Sequence, residues 1–402
     1  MERNKQSVLW NVQYLVLLIA GTLNTTALFM SVPVLPQYMT GFGATYAITG
    51  LISGIGPLVS LVTRPLSGVL ADRWHRKYLL MATSVLTGLT IAGYGVTQSI
   101  WILAVLRILN GIVFAVCNAA LFSLASQTIS LPRMGEGIGY ISLTQILASA
   151  LGPSLGLAVS EKFGAASCFL LSLLFSVLSV LILLPFRYEF RKTERKAGFR
   201  SIRLKDLLAV DLLPVSLMSG PFSLGNALVM TFLALLGTER AISNISVYFV
   251  INAAALILIR PLAGKLYDRK GLKPVLLPAF LADMAALALI AFSRSFWAIA
   301  VAAVLRAAGQ GAGQPSIQAE CIRMLGQERS GVATGTYYLG NDIFQSLGSM
   351  AGGAVLGALG HTALYLGGCA VSALFLLYYL VFQNRIFRAP EQSSASGGNP
   401  SV

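Results

Sequence analysis

Long apolar segments separated by short polar ones form the dominant pattern along this chain. Twelve such segments can be traced, each about 20 to 29 residues long. About 20 apolar residues in an α-helix span the hydrocarbon core of a bilayer, which is about 30 Å thick. The pattern therefore predicts twelve transmembrane helices, over residues 11–36, 45–70, 78–97, 101–128, 137–159, 164–186, 208–236, 244–266, 273–293, 296–321, 330–358 and 362–383.

One internal polar stretch is much longer than the others. Residues 187–206 carry eight Lys and Arg against three acids and follow the sixth apolar segment. This stretch predicts two six-helix bundles, residues 1–186 and 208–388, joined by a basic cytoplasmic linker over 187–207. Residues 389–402 are rich in Ser, Gly and Asn, which predicts a disordered cytoplasmic tail.

Composition excludes a water-soluble enzyme. Only 11% of the 402 residues are charged and 56% are hydrophobic, whereas about a quarter of the residues in a soluble domain are charged. A net charge of +14 could indicate nucleic-acid binding in a polar chain. Here, 22 of the 29 Lys and Arg fall in segments on the same side of the membrane as the N-terminus. The positive-inside rule predicts that both termini are cytoplasmic, and no nucleic-acid partner is expected.

A fourteen-residue segment occurs twice. Residues 64–77 (RPLSGVLADRWHRK) and 260–273 (RPLAGKLYDRKGLK) are identical at eight positions, at an offset of 196 residues. The same offset relates Trp101 to Trp297, and Arg107 is related to Arg306 at 199. Such a repeat indicates two homologous halves in the same orientation, which is typical of transporters with a substrate site between the halves.

The repeated segment joins an acid and several bases in a short loop, and such an ion network can hold one conformation closed and break in another. Residues 68–77 resemble the G-x-x-x-D-R-x-G-R-K signature of the major facilitator superfamily, with His75 in place of a glycine. The resemblance covers nearly the whole chain and implies an all-α membrane fold of twelve helices in two six-helix bundles. The alternative is that the bases only enforce topology. The predicted gating residues are Arg64, Gly68, Asp72, Arg73, Arg76, Lys77, Arg260, Gly264, Asp268 and Arg269.

The predicted fifth helix contains the sequence GPSLG at residues 152–156. It is similar to the G-x-x-x-G-P-x-x-G-G motif of the drug:proton antiporter branch of the superfamily, although positions 148 and 157 lack the glycines of that motif. Small residues four apart let helices approach closely, and Pro153 removes one backbone hydrogen bond. We expect Gly152 and Gly156 at the contact between the halves. The resemblance favours an exporter over an importer.

Arginines inside the predicted helices are a second indication of a functional site, because a charged side chain in a membrane span normally faces a water-filled cavity or a charged partner. The resemblance gives Arg107, in helix 4, a role in proton coupling or substrate contact. The alternative is a structural arginine bound to neighbouring carbonyls. Arg306 occupies the equivalent place in helix 10. Polar residues on these and other helices are candidates to line a cavity: Asn118, Gln310, Gln314, Asn24, Gln145, Asn226, Asn252 and Tyr338.

Of the fifteen acids, Asp283 and Asp342 lie near the middle of predicted spans. Asp342 shares a helix face with Tyr338, which precedes it by four residues, and with Gln345 and Ser349, which follow it at helical spacing. Loss of hydration favours a protonated carboxyl, whereas an approaching Arg107 or Arg306 would favour its charged form. We predict that Asp342 carries the coupled proton. Asp283, in a helix that is peripheral by the resemblance, is the other candidate.

The sequence lacks the residues that several kinds of chemistry require. The chain has no G-x-x-x-x-G-K-[ST] motif, and its two histidines are not grouped with metal ligands. We expect no enzyme activity, no cofactor and no metal site.

The predicted function is a secondary active exporter in the cell membrane, functional as a monomer, in which protons drive efflux of a small organic molecule. Alternatives are a dedicated exporter of one metabolite such as a metallophore or sugar, an importer, or a non-transporting sensor. A cavity rich in positive charge favours a metallophore, whereas acids and aromatic side chains favour cationic drugs.

Overall fold

The computed structural model describes residues 10–129, 133–186, 209–326 and 329–386. The predicted linker and tail lie outside these ranges. The described residues form long antiparallel helices, of which the first ten are α1 Val12–Gly41, α2 Tyr46–Arg73, α3 Arg76–Tyr94, α4 Ile100–Thr128, α5 Met134–Phe163, α6 Ala165–Leu183, α7 Gly220–Glu239, α8 Val247–Lys270, α9 Lys273–Phe292 and α10 Phe296–Leu325.

The last two helices form one helical run, Ser330–Ile386, that is broken at Gly360. This residue has φ 80° and ψ 178°, a conformation that glycine adopts without steric cost. The break divides the run into α11, residues 330–359, and α12, residues 361–386. The described residues thus form twelve long helices, the number that the apolar pattern predicts.

The start of the second half differs most from the predicted helix over residues 208–236. A 3₁₀ turn, Val210–Leu212, and a short helix, Leu213–Leu217, come before α7. Pro214 and Pro221 each lie in the first turn of a helix. Proline lacks a backbone N–H and is favoured where a helix begins, so these two residues divide the predicted helix into shorter pieces.

Nine stretches of the described chain are long and apolar enough to cross a membrane, and one of them, Val332–Val381, contains both α11 and α12. The two long helices outside this set, α3 and α5, pack among the others. Because their ends lie at the same two faces of the bundle, the twelve helices form a multi-pass membrane protein.

Most contacts between helices lie within two groups of six. In the first half, α1 packs on α5 and α6, and α4 packs on α2 and α3. In the second half, α10 packs on α8 and α9, and α7 packs on the run that contains α11. The halves meet through three helix pairs, α2 with α11, α5 with α8, and α1 with α7. The first two of these pairs are equivalent under the internal repeat.

Contacts between the halves are concentrated at the end of the bundle where α1 ends and α2 begins, which we call the closed end. There the backbones of α2 and α11 touch, and a Cβ atom on Gly50 would lie 2.7 Å from the Cα atom of Gly353. Ser346 Oγ donates a hydrogen bond of 2.8 Å to the carbonyl of Gly54. Side chains at these glycine positions would separate the two helices.

Two further hydrogen bonds complete the closed end. Ser154 Oγ in α5 donates to the carbonyl of Ser246, just before α8, at 2.9 Å. Gln37 Nε2 in α1 donates to the carbonyl of Ala234 in α7 at 3.2 Å. All three helix pairs between the halves are therefore joined at this end.

The opposite end, where α2 ends and α3 begins, is the open end. Gly68 in α2 and Gly264 in α8 are exposed there, and an added Cβ atom on either would have no neighbouring atom within 4 Å. The two halves are therefore separated around these glycines.

Candidate functional site

A cavity of about 400 Å³ lies between the two halves. Eight helices contribute to its lining, namely α1, α2, α4 and α5 from the first half and α7, α8, α10 and α11 from the second. None of its lining residues belongs to the described parts of α3, α6, α9 or α12. The packed closed end forms its floor, so the cavity is accessible from the open end.

The two halves line the cavity with different proportions of apolar and amide side chains. The first half contributes six large apolar side chains, which we call the apolar wall: Leu28, Phe29, Val32, Phe114, Phe122 and Ile146. It also contributes polar side chains, among them Arg64, Arg107, Asn110 and Gln145. The second half contributes seven side-chain amides, which we call the carboxamide wall: Asn226, Asn252, Gln310, Gln314, Gln318, Asn341 and Gln345. An amide both donates and accepts hydrogen bonds. The cavity therefore suits a molecule that has both an apolar part and polar groups.

An ion pair joins the halves inside the cavity. Arg64 Nε in α2 lies 2.6 Å from Asp342 Oδ2 in α11, and a second guanidinium nitrogen lies 3.2 Å from Oδ1. The guanidinium carbon of Arg64 also lies 4.7 Å from the ring centre of Tyr338. Two parallel hydrogen bonds to one carboxylate fix the relative position of both side chains. This pair therefore ties α2 to α11.

The partner of Asp342 differs from the one expected. The sequence favoured Arg107 or Arg306, but the structure places Arg64 there. The physical reason is the packing of the helices, since α2 lies against α11 across the interface. Arg64, predicted as a gating residue, thus also lines the cavity.

Arg306 lies outside the cavity lining. Its guanidinium forms an ion pair with Asp283 in α9, and both side chains are buried, with exposed fractions of 2% and 0%. Ser372 Oγ donates a hydrogen bond of 2.9 Å to the second carboxylate oxygen, Asp283 Oδ2. The prediction of Arg306 as a cavity residue is therefore corrected, because neighbouring helices of one half enclose this pair.

Arg107 and Arg260 line the cavity from α4 and α8. Arg107 is buried, and one of its guanidinium nitrogens donates to the carbonyl of Ser53 at 3.3 Å. Of the carboxylates that the structure describes, none forms an ion pair with either arginine. The described lining therefore contains three arginines and one acid, Asp342.

Hydrogen bonds link part of the carboxamide wall to α7. Gln314 Nε2 donates to Ser223 Oγ at 3.0 Å, and Ser223 Oγ donates to Asn341 Oδ1 at 2.5 Å. Asn226 Nδ2 donates to Gln345 Oε1 at 3.5 Å. These contacts hold α7, α10 and α11 together and set the directions of the amides. Gln310 and Tyr338 line the same cavity.

Two of the predicted cavity residues lie behind the lining instead. Asn24 Nδ2 contacts Cys117 Sγ at 3.2 Å between α1 and α4. Asn118 Oδ1 accepts a hydrogen bond of 3.0 Å from Gln145 Nε2, and of these two residues Gln145 lines the cavity. Asn24 and Asn118 therefore join helices of the first half, because their faces of α1 and α4 turn toward neighbouring helices.

The other predicted gating residues lie at the open end. Arg76 Nε donates to the carbonyl of Ala71 at 3.1 Å, and Lys77 Nζ donates to the carbonyl of Phe186 at 2.8 Å. These contacts lie within the first half. Five others share an exposed position, namely Gly68, Arg73, Gly264, Asp268 and Arg269. The side chain of Asp72 lies outside the described residues.

The glycines of α5 pack within the first half. An added Cβ on Gly152 would lie 2.6 Å from Phe29 Cβ, and one on Gly156 would lie 2.9 Å from the carbonyl carbon of Met30. Both neighbours belong to α1. The expectation that these glycines form the contact between the halves was therefore wrong, because their face of α5 turns toward α1. Pro153 lies between them inside the helix.

Comparison with known proteins agrees with this architecture over most of the chain. The family model described as Major Facilitator Superfamily matches residues 17–281 and 215–401. The multidrug resistance protein MdtG of Escherichia fergusonii is 25% identical over 408 residues, which cover 96% of this chain and 97% of the relative. MdtG of Enterobacter lignolyticus is 26% identical over 390 residues, covering 93% and 91%.

Solved structures share the fold at low sequence identity. The nucleoside transporter NupG superposes with a TM-score of 0.74 at 14% identity, covering 93% of this chain and 99% of that chain. A bacterial homologue of the human lysosomal transporter Spinster, inward-facing and occupied, gives a TM-score of 0.73 at 16% identity, covering 94% and 96%. These likenesses concern the arrangement of the helices.

Proposed function

The chain belongs to the major facilitator superfamily, and from this premise we propose that it is a secondary active exporter, which uses the proton gradient to expel small organic molecules. It is a membrane transporter and not an enzyme. The relatives named multidrug resistance protein support export as the direction of transport. They are 25% and 26% identical to this chain.

Orientation is the first part of the proposal. The excess of Lys and Arg in alternate segments supports cytoplasmic termini. Helix α1 then ends at the outer surface, so the closed end faces outward and the open end faces the cytoplasm. In this conformation the cavity receives substrate from the cytoplasm. Export requires the halves to close around Gly68 and Gly264 and to separate around Gly50 and Gly353.

The ion pair between Arg64 and Asp342 is the observation that carries the proposal. It joins the two halves inside the cavity, and it needs a charged carboxylate. A proton on Asp342 removes the negative charge and one acceptor for Arg64, so the pair weakens. Protonation in the outward-open state and release into the cytoplasm would thus be linked to the contact between α2 and α11.

An exchanger must also prevent its empty form from changing conformation, since that step would dissipate the proton gradient. The ion pair supplies this restraint. With neither proton nor substrate bound, the charged carboxylate holds Arg64 and keeps the outer end closed. After the proton is released to the cytoplasm, the protein therefore stays open to the cytoplasm until substrate binds. We propose that one chain is the functional unit, because Arg64 and Asp342 belong to the same chain.

The first experiment identifies what is exported. Metabolites and drugs are measured in a deletion strain and in the same strain with the protein re-expressed. Substrates are the molecules that accumulate in the deletion strain and that the re-expressed protein removes in the absence of a protonophore but not in its presence. Export that continues unchanged when the protonophore is present would contradict proton coupling.

The second experiment tests Asp342 with a substrate found in this way. In reconstituted vesicles we expect Asp342→Asn to lose pH-driven transport but to keep substrate exchange, because the amide cannot release a proton. The control is Glu161→Gln, which removes an exposed carboxylate at the end of α5. Proton-driven transport by Asp342→Asn at the rate of the original protein would refute the role of Asp342.

A further inference from the structure

The charge of the cavity lining indicates the class of substrate. Three arginines line the cavity, Arg64, Arg107 and Arg260, and Asp342 is the acid that the structure places beside them. Asp342 neutralises Arg64 through two short contacts. Two positive charges, on Arg107 and Arg260, are left without an acidic partner among the described residues.

Contacts with neutral groups do not replace that partner. Arg107 is buried and donates to one backbone carbonyl, that of Ser53. The Nε atoms of Arg107 and Arg260 are both buried without a hydrogen-bond acceptor among the described residues. A charged arginine at this depth is costly unless a counter-ion or water compensates it. Arg306, which is also buried, has Asp283 as its counter-ion.

The direction of the helices places the two arginines at different depths. Helix α8 runs from the closed end to the open end, and Arg260 lies ten residues before its last residue, Lys270. Helix α4 also begins at the closed end, and Arg107 lies seven residues after its first residue, Ile100. A molecule that enters from the open end therefore meets Arg260 first and Arg107 deeper in the cavity.

The rest of the lining adds two requirements for the substrate. The carboxamide wall offers donors and acceptors to hydroxyl, carbonyl or amide groups of a ligand. The apolar wall suits a hydrocarbon or aromatic part. The arginines repel a lipophilic cation, whereas an acidic group replaces the missing counter-ion.

We propose that the substrate is a small organic anion, whose acidic groups pair with Arg107 and Arg260, whose polar groups face the carboxamide wall and whose apolar part faces the apolar wall. This inference rests on the proposed function, since it names the class of molecule exported. Exchange of a monovalent anion for one incoming proton moves one negative charge out of the cell and one positive charge into it, so both movements make the inside more positive. An inside-negative membrane potential therefore favours export.

Binding to the purified full-length protein in nanodiscs tests the charge preference without any gradient. The probes are dansylglycine, its neutral amide dansylglycinamide, and the cationic dansylethylenediamine, which share one fluorescent apolar group. Empty nanodiscs give the background. We expect saturable binding of dansylglycine at least about tenfold tighter than that of the cationic probe, the difference that one charge-assisted hydrogen bond supplies.

Variants then assign the preference to the two arginines. Arg107→Gln and Arg260→Gln should each weaken dansylglycine binding about tenfold, whereas Arg107→Lys keeps the charge and should retain most of it. The control is Arg294→Gln, which removes an exposed arginine between α9 and α10. Elution as a single peak in size-exclusion chromatography shows that each variant is folded.

Three results would overturn the inference: no saturable binding of dansylglycine, equal or tighter binding of the cationic probe, or an unchanged preference in both glutamine variants. Failure of the proposed proton coupling is a separate outcome, since it is measured with Asp342→Asn under a pH gradient. A protein that prefers the anion without proton-driven transport would keep this inference and lose the exchange mechanism.

Discussion

The two halves of the molecule contain equivalent arginines with different partners. Arg306 in the second half is buried with Asp283, whereas Arg107 in the first half lines the cavity and donates to a backbone carbonyl. The 196-residue offset sets Thr87 of α3 against Asp283 of α9. Helix α3 carries no Asp or Glu, so it offers Arg107 no equivalent of Asp283.

The second pair of arginines repeats this contrast across the interface. Arg64 in α2 is bound to Asp342 in α11, whereas the equivalent helix pair for Arg260 is α8 with α5. The offset sets Ile146 of α5 against Asp342, and an isoleucine cannot pair with a guanidinium. Among the described residues, the duplicated framework therefore holds two arginines in ion pairs and two arginines that line the cavity without an acidic partner.

The largest expected effect concerns the buried pair. Asp283→Asn leaves Arg306 without a counter-charge, and breaking a buried pair in this way costs about 3–5 kcal/mol. We expect a large fall in the melting temperature of the purified protein. Asp342→Asn is the matched control, because the same change in the cavity leaves Arg64 half-exposed to water.

A second variant separates charge from packing at this site. The double change Asp283→Asn with Arg306→Gln removes both charges and should recover part of the lost stability. A single Asp283→Asn variant that melts with the original protein would show that the pair contributes little.

The next effect concerns the two ends of the bundle. Gly50→Leu places a side chain where α2 touches α11, and Gly68→Leu places one at the separated end. We expect both to abolish transport but to trap opposite conformations, since each prevents closure of a different end. The test is maleimide labelling of Gln314→Cys, whose position lines the cavity.

Labelling from each side of the membrane distinguishes the two traps. Gly68→Leu should leave the introduced cysteine reactive from the cytoplasmic side, and Gly50→Leu should make it reactive from the outside. Equal labelling of both variants from one side, with normal expression, would contradict the assignment of the two ends.

A smaller effect comes from copying the acid of one half into the other. Ile146→Asp creates a carboxylate on α5 at the position equivalent to Asp342, where it can pair with Arg260. We expect dansylglycine binding to weaken about tenfold, because the new acid replaces the ligand as counter-ion. Ile146→Asn is the control for size and polarity. Equal affinities of the two variants would show that Arg260 does not bind the anion.

The smallest effect concerns an ion pair of the second half in which only the arginine is exposed. Arg323 lies 2.5 Å from Glu320, and the two side chains are 71% and 3% exposed. A partner as exposed as Arg323 contributes about 0–1 kcal/mol, and Glu320 keeps a hydrogen bond of 2.8 Å from Tyr267 Oη. We expect Arg323→Gln to melt within a few degrees of the original protein. Destabilisation as large as that of Asp283→Asn would remove the distinction between buried and exposed pairs.

Much of the fold was predictable from the sequence because a bilayer imposes a simple rule. A helix must bury about 20 apolar residues to cross it, so the spacing of apolar segments determined the twelve helices. The repeat of residues 64–77 at 260–273 determined the two equivalent halves. The broken start of the second half was harder to predict, because Pro214 and Pro221 act locally within an apolar segment.

The presence of membrane-embedded charges was also determined by the sequence. Four arginines could be placed inside predicted spans and two acids near the middle of predicted spans, and each required a partner or a cavity. Arg64 lies within the predicted second helix and could have been recognised as a cavity residue by the same rule. It was predicted as a gating residue instead, because it belongs to the repeated motif. Asn341 and Ser223 gave no comparable signal, because neutral polar residues serve equally well between helices.

Only the tertiary structure decided which charges meet. Asp342 and Arg64 are 278 residues apart, and Asp283 pairs with Arg306 rather than facing the cavity. A helix sequence specifies which residues share a face, but the neighbour of that face depends on how all twelve helices pack. For this reason the sequence determined the helices, the repeat and the charges, whereas packing decided which arginines were neutralised and which line the cavity.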